Sequence, residues 1–208
     1  MSPQGTSEWD INHRWRLTSR NFCAAIGKSN FTTPAQVASD IINPVHLVVD
    51  KRFAQLHGIR TEPEARDWYC NTRKVVVEEV GLAVPKWEPR LGTSIDGDVM
   101  GTDGMIEIKS PYEMYKPLRD HIAKIENGWT PPKFYHSHIW ESHYAQMQGS
   151  MKIINKKWCD YIVYATESNL SYVERVFFDQ TYWDTVLLPG IQSFFNNHME
   201  PLIALQNS

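Results

Sequence analysis

Two carboxylates and an amine lie close together in the middle of this chain. Asp96 sits in Thr93-Ser94-Ile95-Asp96-Gly97-Asp98, and Glu107 follows eleven residues later in Ile106-Glu107-Ile108-Lys109. Side chains along a strand alternate between faces, so Met105, Glu107 and Lys109 share one face while Ile106 and Ile108 enter a core on the other. Gly101-Thr102-Asp103-Gly104 reads as a turn that folds the Asp96 strand back beside the Glu107 strand. The two acids then converge.

These residue types suit phosphodiester hydrolysis. The substrate is an anion with a poor leaving group, so its charge must be neutralised and a strong nucleophile generated near neutral pH. A divalent cation does both. Mg²⁺ takes hard oxygen ligands and keeps several waters, so Asp96, Glu107 and the backbone carbonyl of Ile108 suffice to hold it, with Mn²⁺ as a substitute. Lys109 would orient the attacking water, assist its deprotonation or stabilise developing charge. A nearby cation and partial burial would lower its pKa. A lone E-x-K is ordinary strand surface. The aspartate in S-x-D-G, the Ser110-Pro111 stop and a downstream helix carrying Gln146 and Gln148 set this one apart.

Taken in order, T-S-I-D-G-D, I-E-I-K-S-P, Tyr144-Ala145-Gln146-Met147-Gln148-Gly149-Ser150-Met151 and Trp158-Cys159-Asp160-Tyr161-Ile162-Val163-Tyr164 resemble the lambda-exonuclease-like viral recombinase nucleases of the PD-(D/E)xK superfamily. The resemblance runs from about residue 9 to about residue 164, and the joint order of the blocks is its specific part. It implies an α/β, restriction-endonuclease-like fold with a mixed central β-sheet flanked by α-helices. It also implies Asp96 and Glu107 as metal ligands, Lys109 as the catalytic lysine, and Gln146 as a residue that positions the nucleophile or the lysine. An earlier glutamate belongs to the same site. In Thr61-Glu62-Pro63-Glu64-Ala65-Arg66, a T-x-x-E capping box between Thr61 and Glu64 would account for Glu64, which leaves Glu62 as the preferred candidate.

Arg14-Trp15-Arg16-Leu17-Thr18-Ser19-Arg20 resembles the family segment that grips a terminal 5′ phosphate. Ser19 stands where alanine is usual and Arg20 where serine is usual, so the phosphate ligand is open among Arg14, Arg16, Ser19 and Arg20. The activity implied is a 5′-to-3′ exonuclease on linear double-stranded DNA that releases 5′-mononucleotides and leaves a 3′ single-stranded tail. Its implied setting is a homotrimeric ring working with a single-strand annealing protein, in the cytoplasm of a phage's bacterial host. An endonuclease on the same fold and a catalytically silent DNA-binding scaffold are the alternatives.

A chain of 208 residues with 42% hydrophobic composition is long enough for one substantial core and short for two, so residues 1–208 are expected to form a single domain. No signal peptide or apolar run of membrane length is visible, so no membrane partner is expected. Cys23, Cys70 and Cys159 are widely separated and odd in number, which suggests neither a disulfide framework nor a zinc ribbon. The formal charge of −3 divides unevenly. Residues 1–60 hold 7 basic and 4 acidic residues and residues 111–160 hold 7 and 5, whereas 61–110 hold 6 and 10 and 161–208 hold 1 and 5. The first and third segments should therefore face DNA.

Thr33-Pro34 predicts a helix over 33–42, residues 46–57 a second ended by Gly58, and 61–80 a third stopped by Gly81. Residues 82–89, 93–99 and 105–109 read as strands, the last two a hairpin. Helical spacing over 138–154 puts Tyr144, Met147 and Met151 near one stripe, where core packing is their expected role. Strands follow at 161–165 and 172–178. Asp179 caps a closing helix interrupted near Pro189-Gly190. Residues 112–137 read as a loop with a short helix over 118–126, whose Lys116, Arg119, Lys124 and Lys133 could meet DNA. His136, His138 and His143 lack partners at zinc spacing, and Trp129 and Trp140 could stack on an unpaired base.

Overall fold

A computed structural model describes residues 15–43, 53–110, 115–128, 135–136, 139–166 and 170–206. The expected hairpin forms the middle of a five-stranded mixed sheet. Its strands are β2 (Val77–Glu78), β4 (Gly97–Val99), β5 (Gly104–Lys109), β8 (Trp158–Ala165) and β9 (Leu170–Phe177), in that order. The β5–β8 pair is parallel and the other three are antiparallel. A separate parallel pair joins β1 (Leu17–Thr18) to β3 (Leu91–Gly92).

Strand β5 is covered on both faces. Ile106 and Ile108 pack with Ile162, Tyr164, Ala65 and Tyr69 on the side of helix α3 (Phe53–Arg73). Met105 packs with Cys159, Tyr161, Met147 and Met151 on the side of helix α5 (Glu141–Ile154). Period-two alternation thus holds, but both faces are packed: Glu107 is only 1% exposed, and of the strand only Lys109 is half-buried. Gly104 has to be glycine, because a Cβ there would come within 2.1 Å of the Trp158 ring.

After the short helix α1 (Phe22–Ala25), helix α2 (Pro34–Ile42) matches the reading of 33–42, with Thr33 accepting the Gln36 N–H as N-cap. The next two predicted helices are one. Helix α3 runs through Gly58 and Pro63. Thr61 lies inside it and donates to the carbonyls of His57 and Gly58 at 2.9 and 3.3 Å, so the expected Thr61–Glu64 capping box does not form. Glu64 instead accepts from the Tyr164 hydroxyl at 2.9 Å. The local Gly and Pro signals are overridden by docking of Ala65 and Tyr69 on the sheet. Residues 44–52 lie outside the described set. The helix stops at Arg73, before the left-handed Lys74, and β-branched Val77 joins β2 instead of extending a helix to residue 80.

Residues 82–89 do not form the expected strand. They make one bridge, Ala83 to Thr93, and then a turn in which Glu88 N–H reaches the Pro85 carbonyl. The strand read over 93–99 begins only at Gly97, because the Asp96 side chain takes the Ile108 N–H in place of a backbone carbonyl. Helix α4 (Tyr115–Glu126) begins earlier than the 118–126 reading. Helix α5 begins later than 138, since β7 (Ile139–Trp140) pairs with β6 (Tyr135–His136).

The closing segment is helical from Gln180 to Gln206 without the break expected near Pro189-Gly190. Asp179 does cap it, accepting from the Tyr182 N–H at 2.9 Å. A π-helical turn, Trp183–Leu187, immediately precedes Pro189, so the proline falls where the ladder is already widened. Among the described residues no helix is long and apolar enough to cross a membrane.

Candidate active site

Glu107 is the centre of the arrangement. Its Oε1 accepts from Lys109 Nζ at 2.5 Å and from Gln146 Nε2 at 2.7 Å, while Lys109 also lies 3.4 Å from Gln146 Oε1. Strand β5 supplies the acid and the amine, and the second turn of α5 supplies the amide from above the sheet. Among the described residues no hydrogen-bond partner reaches the buried Glu107 Oε2. An uncompensated carboxylate oxygen in a protein interior is costly, so this atom is set up for a ligand that the protein does not itself provide.

Asp96 immediately precedes β4, and its Oδ2 accepts the Ile108 N–H at 2.6 Å. Burial raises its pKa, and the charge of Glu107 raises it further. Burial alone would depress the Lys109 ammonium, but Glu107 and Asp96 outweigh it and hold its pKa above the ordinary value. The expected depression is therefore overturned, because the cation faces two carboxylates at close range.

Glu62 joins the site from α3. Burial and the charge of Asp96 push its carboxyl up to about 7. Arg66, one helical turn on, donates to Glu62 at 2.7 Å and to the Asp96 backbone carbonyl at 3.0 Å, and it also pairs with Glu79. The preference for Glu62 over Glu64 accords with this geometry, although the capping argument that led to it does not. Arg66 escaped the sequence reading. The only available signal was its i,i+4 spacing from Glu62, which any surface ion pair shares.

The N-terminal candidates separate. Arg14 lies outside the described residues. Arg16 donates to the Pro89 carbonyl at 3.0 Å and braces the β1–β3 pair. Ser19 is buried in a triangle of hydroxyls with Thr93 and Ser150, with oxygens 2.8–3.0 Å apart. Arg20 is exposed, and its charge is felt at Lys109. The two glutamines of α5 also divide. Gln148 is fully buried away from the site, donating to the Phe177 carbonyl and accepting the Asp179 N–H at 2.9 and 2.8 Å. Of the three histidines, His143 lies 2.9 Å from the Tyr161 hydroxyl; His138 lies outside the described residues.

The residues present fit a divalent cation. The donors are hard carboxylate oxygens, one of them buried and without a partner among the described residues. Among the described residues no three His, Cys, Asp or Glu side chains form a ready-made cage.

A family model described as the YqaJ-like viral recombinase domain matches residues 8–157. In solved structures, the chain is similar to an alkaline exonuclease from Laribacter hongkongensis, at 23% identity over 97% of both chains with a TM-score of 0.72. The same enzyme in complex with dAMP gives a TM-score of 0.75 at 23% identity and the same coverage. A phage-related exonuclease from Haemophilus somnus 129PT is 13% identical, covering 96% of this chain and 100% of that one, with a TM-score of 0.66. No curated protein sequence matches. The expected restriction-endonuclease-like fold is present, and with residues 8–157 matched the chain belongs to the YqaJ-like viral recombinase family.

Proposed function

We propose that this protein is a Mg²⁺-dependent exonuclease that digests one strand of linear double-stranded DNA from its 5′ end. It releases 5′-mononucleotides and leaves a 3′ single-stranded tail. The observation that carries this reading is Glu107: a buried carboxylate with one oxygen shared by Lys109 and Gln146 and the other without a partner among the described residues. A purely structural acid would satisfy both oxygens.

Asp96 and Glu107 would hold the cation, with the Ile108 carbonyl as a backbone ligand. When bound, the cation would supply neutralisation of phosphoryl charge and a more acidic water. Lys109 keeps its proton in this setting and offers positive charge to the phosphoryl oxygens. Gln146 fixes Glu107 and Lys109 relative to each other. Glu62, with a pKa of about 7, can take up or release a proton at the edge of the site near neutral pH. Arg20, whose charge reaches Lys109, is the best supported of the 5′-phosphate candidates.

Membership of a recombinase family supports handing the 3′ tail to a single-strand annealing protein in the bacterial cytoplasm. Likeness to that family also suggests a ring of three copies around DNA. The test is digestion with Mg²⁺ of linear duplexes bearing 5′-phosphate or 5′-hydroxyl ends and of a closed circle, with Lys109→Ala as control. Loss of the phosphorylated linear strand alone is expected. Cutting of the circle would make the protein an endonuclease, and no cutting of any substrate a binding scaffold.

A further inference from the structure

His143 is a half-buried imidazole for which the arrangement described above has no use. It lies one turn before Gln146 on α5, so the two side chains share a helical face. Its Nδ1 lies 2.9 Å from the Tyr161 hydroxyl, and the two rings pack with centroids 5.7 Å apart. Tyr161 is the register partner of Glu107 across the parallel β5–β8 pair, so its side chain rises from the sheet on the Glu107 face. Among the described residues, Nε2 of His143 has no partner.

We propose that His143 is a substrate-binding residue. Its neutral Nε2–H would donate to a non-bridging oxygen of the DNA backbone beside Lys109, with the Tyr161 hydroxyl donating to Nδ1 and thereby selecting that tautomer. The inference rests on the nuclease reading above.

Three observations carry it. A histidine kept for packing alone would not need a hydroxyl aimed at one ring nitrogen with the other left open. Burial, together with the charge of Lys109, pushes the His143 pKa down to about 3, so the ring stays neutral. A neutral donor suits a site that already holds a protonated lysine, because it binds a phosphate oxygen without adding like-charge repulsion. Finally, Tyr161 is 5% exposed, so the anchor is rigid and the ring orientation is set before substrate arrives.

The experiment measures binding of a 5′-phosphorylated linear duplex with Ca²⁺ in place of Mg²⁺, alongside kcat and KM with Mg²⁺ and a melting temperature for each variant. Gln places an N–H near the position of Nε2 and Asn near that of Nδ1. His143→Ala and His143→Asn should weaken binding about tenfold or more, while His143→Gln retains most of it. Tyr161→Phe should give an intermediate loss. A duplex with methylphosphonates at the terminal linkages of the cut strand, which lack one anionic oxygen each, should erase the difference between wild type and His143→Ala.

Wild-type binding and KM in His143→Ala would overturn the proposal while leaving the nuclease reading intact, as would rescue by Asn rather than Gln. A wild-type protein that neither binds nor cuts any DNA would overturn both.

Discussion

Arg66 donates to the backbone carbonyl of Asp96 across 3.0 Å, from a helix on one face of the sheet to the strand that carries a proposed metal ligand. The same guanidinium holds Glu62. One planar, permanently charged group therefore sets the spacing of two acids that arrive from different elements.

Replacing Arg66 tests that role. Arg66→Ala should destabilise the fold by about 1–3 kcal/mol, the usual range for losing hydrogen bonds to charged or buried partners. Arg66→Lys keeps the charge but not the fork, so it should fold and still lose most cleavage. Urea denaturation and a duplex digestion assay read the two effects separately. Full activity in Arg66→Lys would show that charge alone suffices.

Glu62 makes stability depend on pH. Its pKa rises from 4.5 to about 7 on folding. Through that window the unfolded chain gives up a proton that the folded protein keeps, so stability falls as pH rises and the loss is complete above it. In chelator, the melting temperature should be lower at about pH 8 than at about pH 5. Glu62→Gln should flatten part of the slope; Asp96, also raised by burial, acts in the same direction, and His143, depressed by burial, opposes both below its unfolded value. An unchanged slope would remove Glu62 as its source.

The two glutamines of α5 should fail in different ways. Gln146→Ala leaves Glu107 and Lys109 unpositioned and should cut activity strongly with a small change in melting temperature. Gln148→Ala removes a fully buried amide and leaves the Phe177 carbonyl and the Asp179 N–H without it, which should reduce stability by about 1–3 kcal/mol while the folded fraction keeps its activity. Equal activity losses in the two variants would contradict the division.

Cation binding should be visible without turnover. At ten times its dissociation constant, Mg²⁺ should stabilise the protein by about 1.4 kcal/mol. Glu107→Gln should abolish that shift, and chelation should stop cleavage of DNA by the wild type. A melting temperature indifferent to Mg²⁺ in the wild type would argue against the carboxylate pair as its site.

The sequence alone determined the chemistry-bearing hairpin. Alternating Ile106 and Ile108 with a glycine turn before them is a local signal, and both strand pairing and register obey it. The same holds for the Thr33 and Asp179 caps, where one side chain meets a backbone N–H three residues away.

Only tertiary structure decided the rest. Gly58 argues for a stop and Thr61 for a new start, yet α3 continues because Ala65 and Tyr69 gain more by docking on the sheet than local propensity loses. Arg66 meeting Asp96, Tyr161 meeting His143 and Gln148 turning away from Gln146 all depend on contacts between distant parts of the chain. Nor did the sequence show that the Lys109 pKa would rise. Residue types set which charges exist, but packing sets their distances, and at short range the two carboxylates outweigh burial.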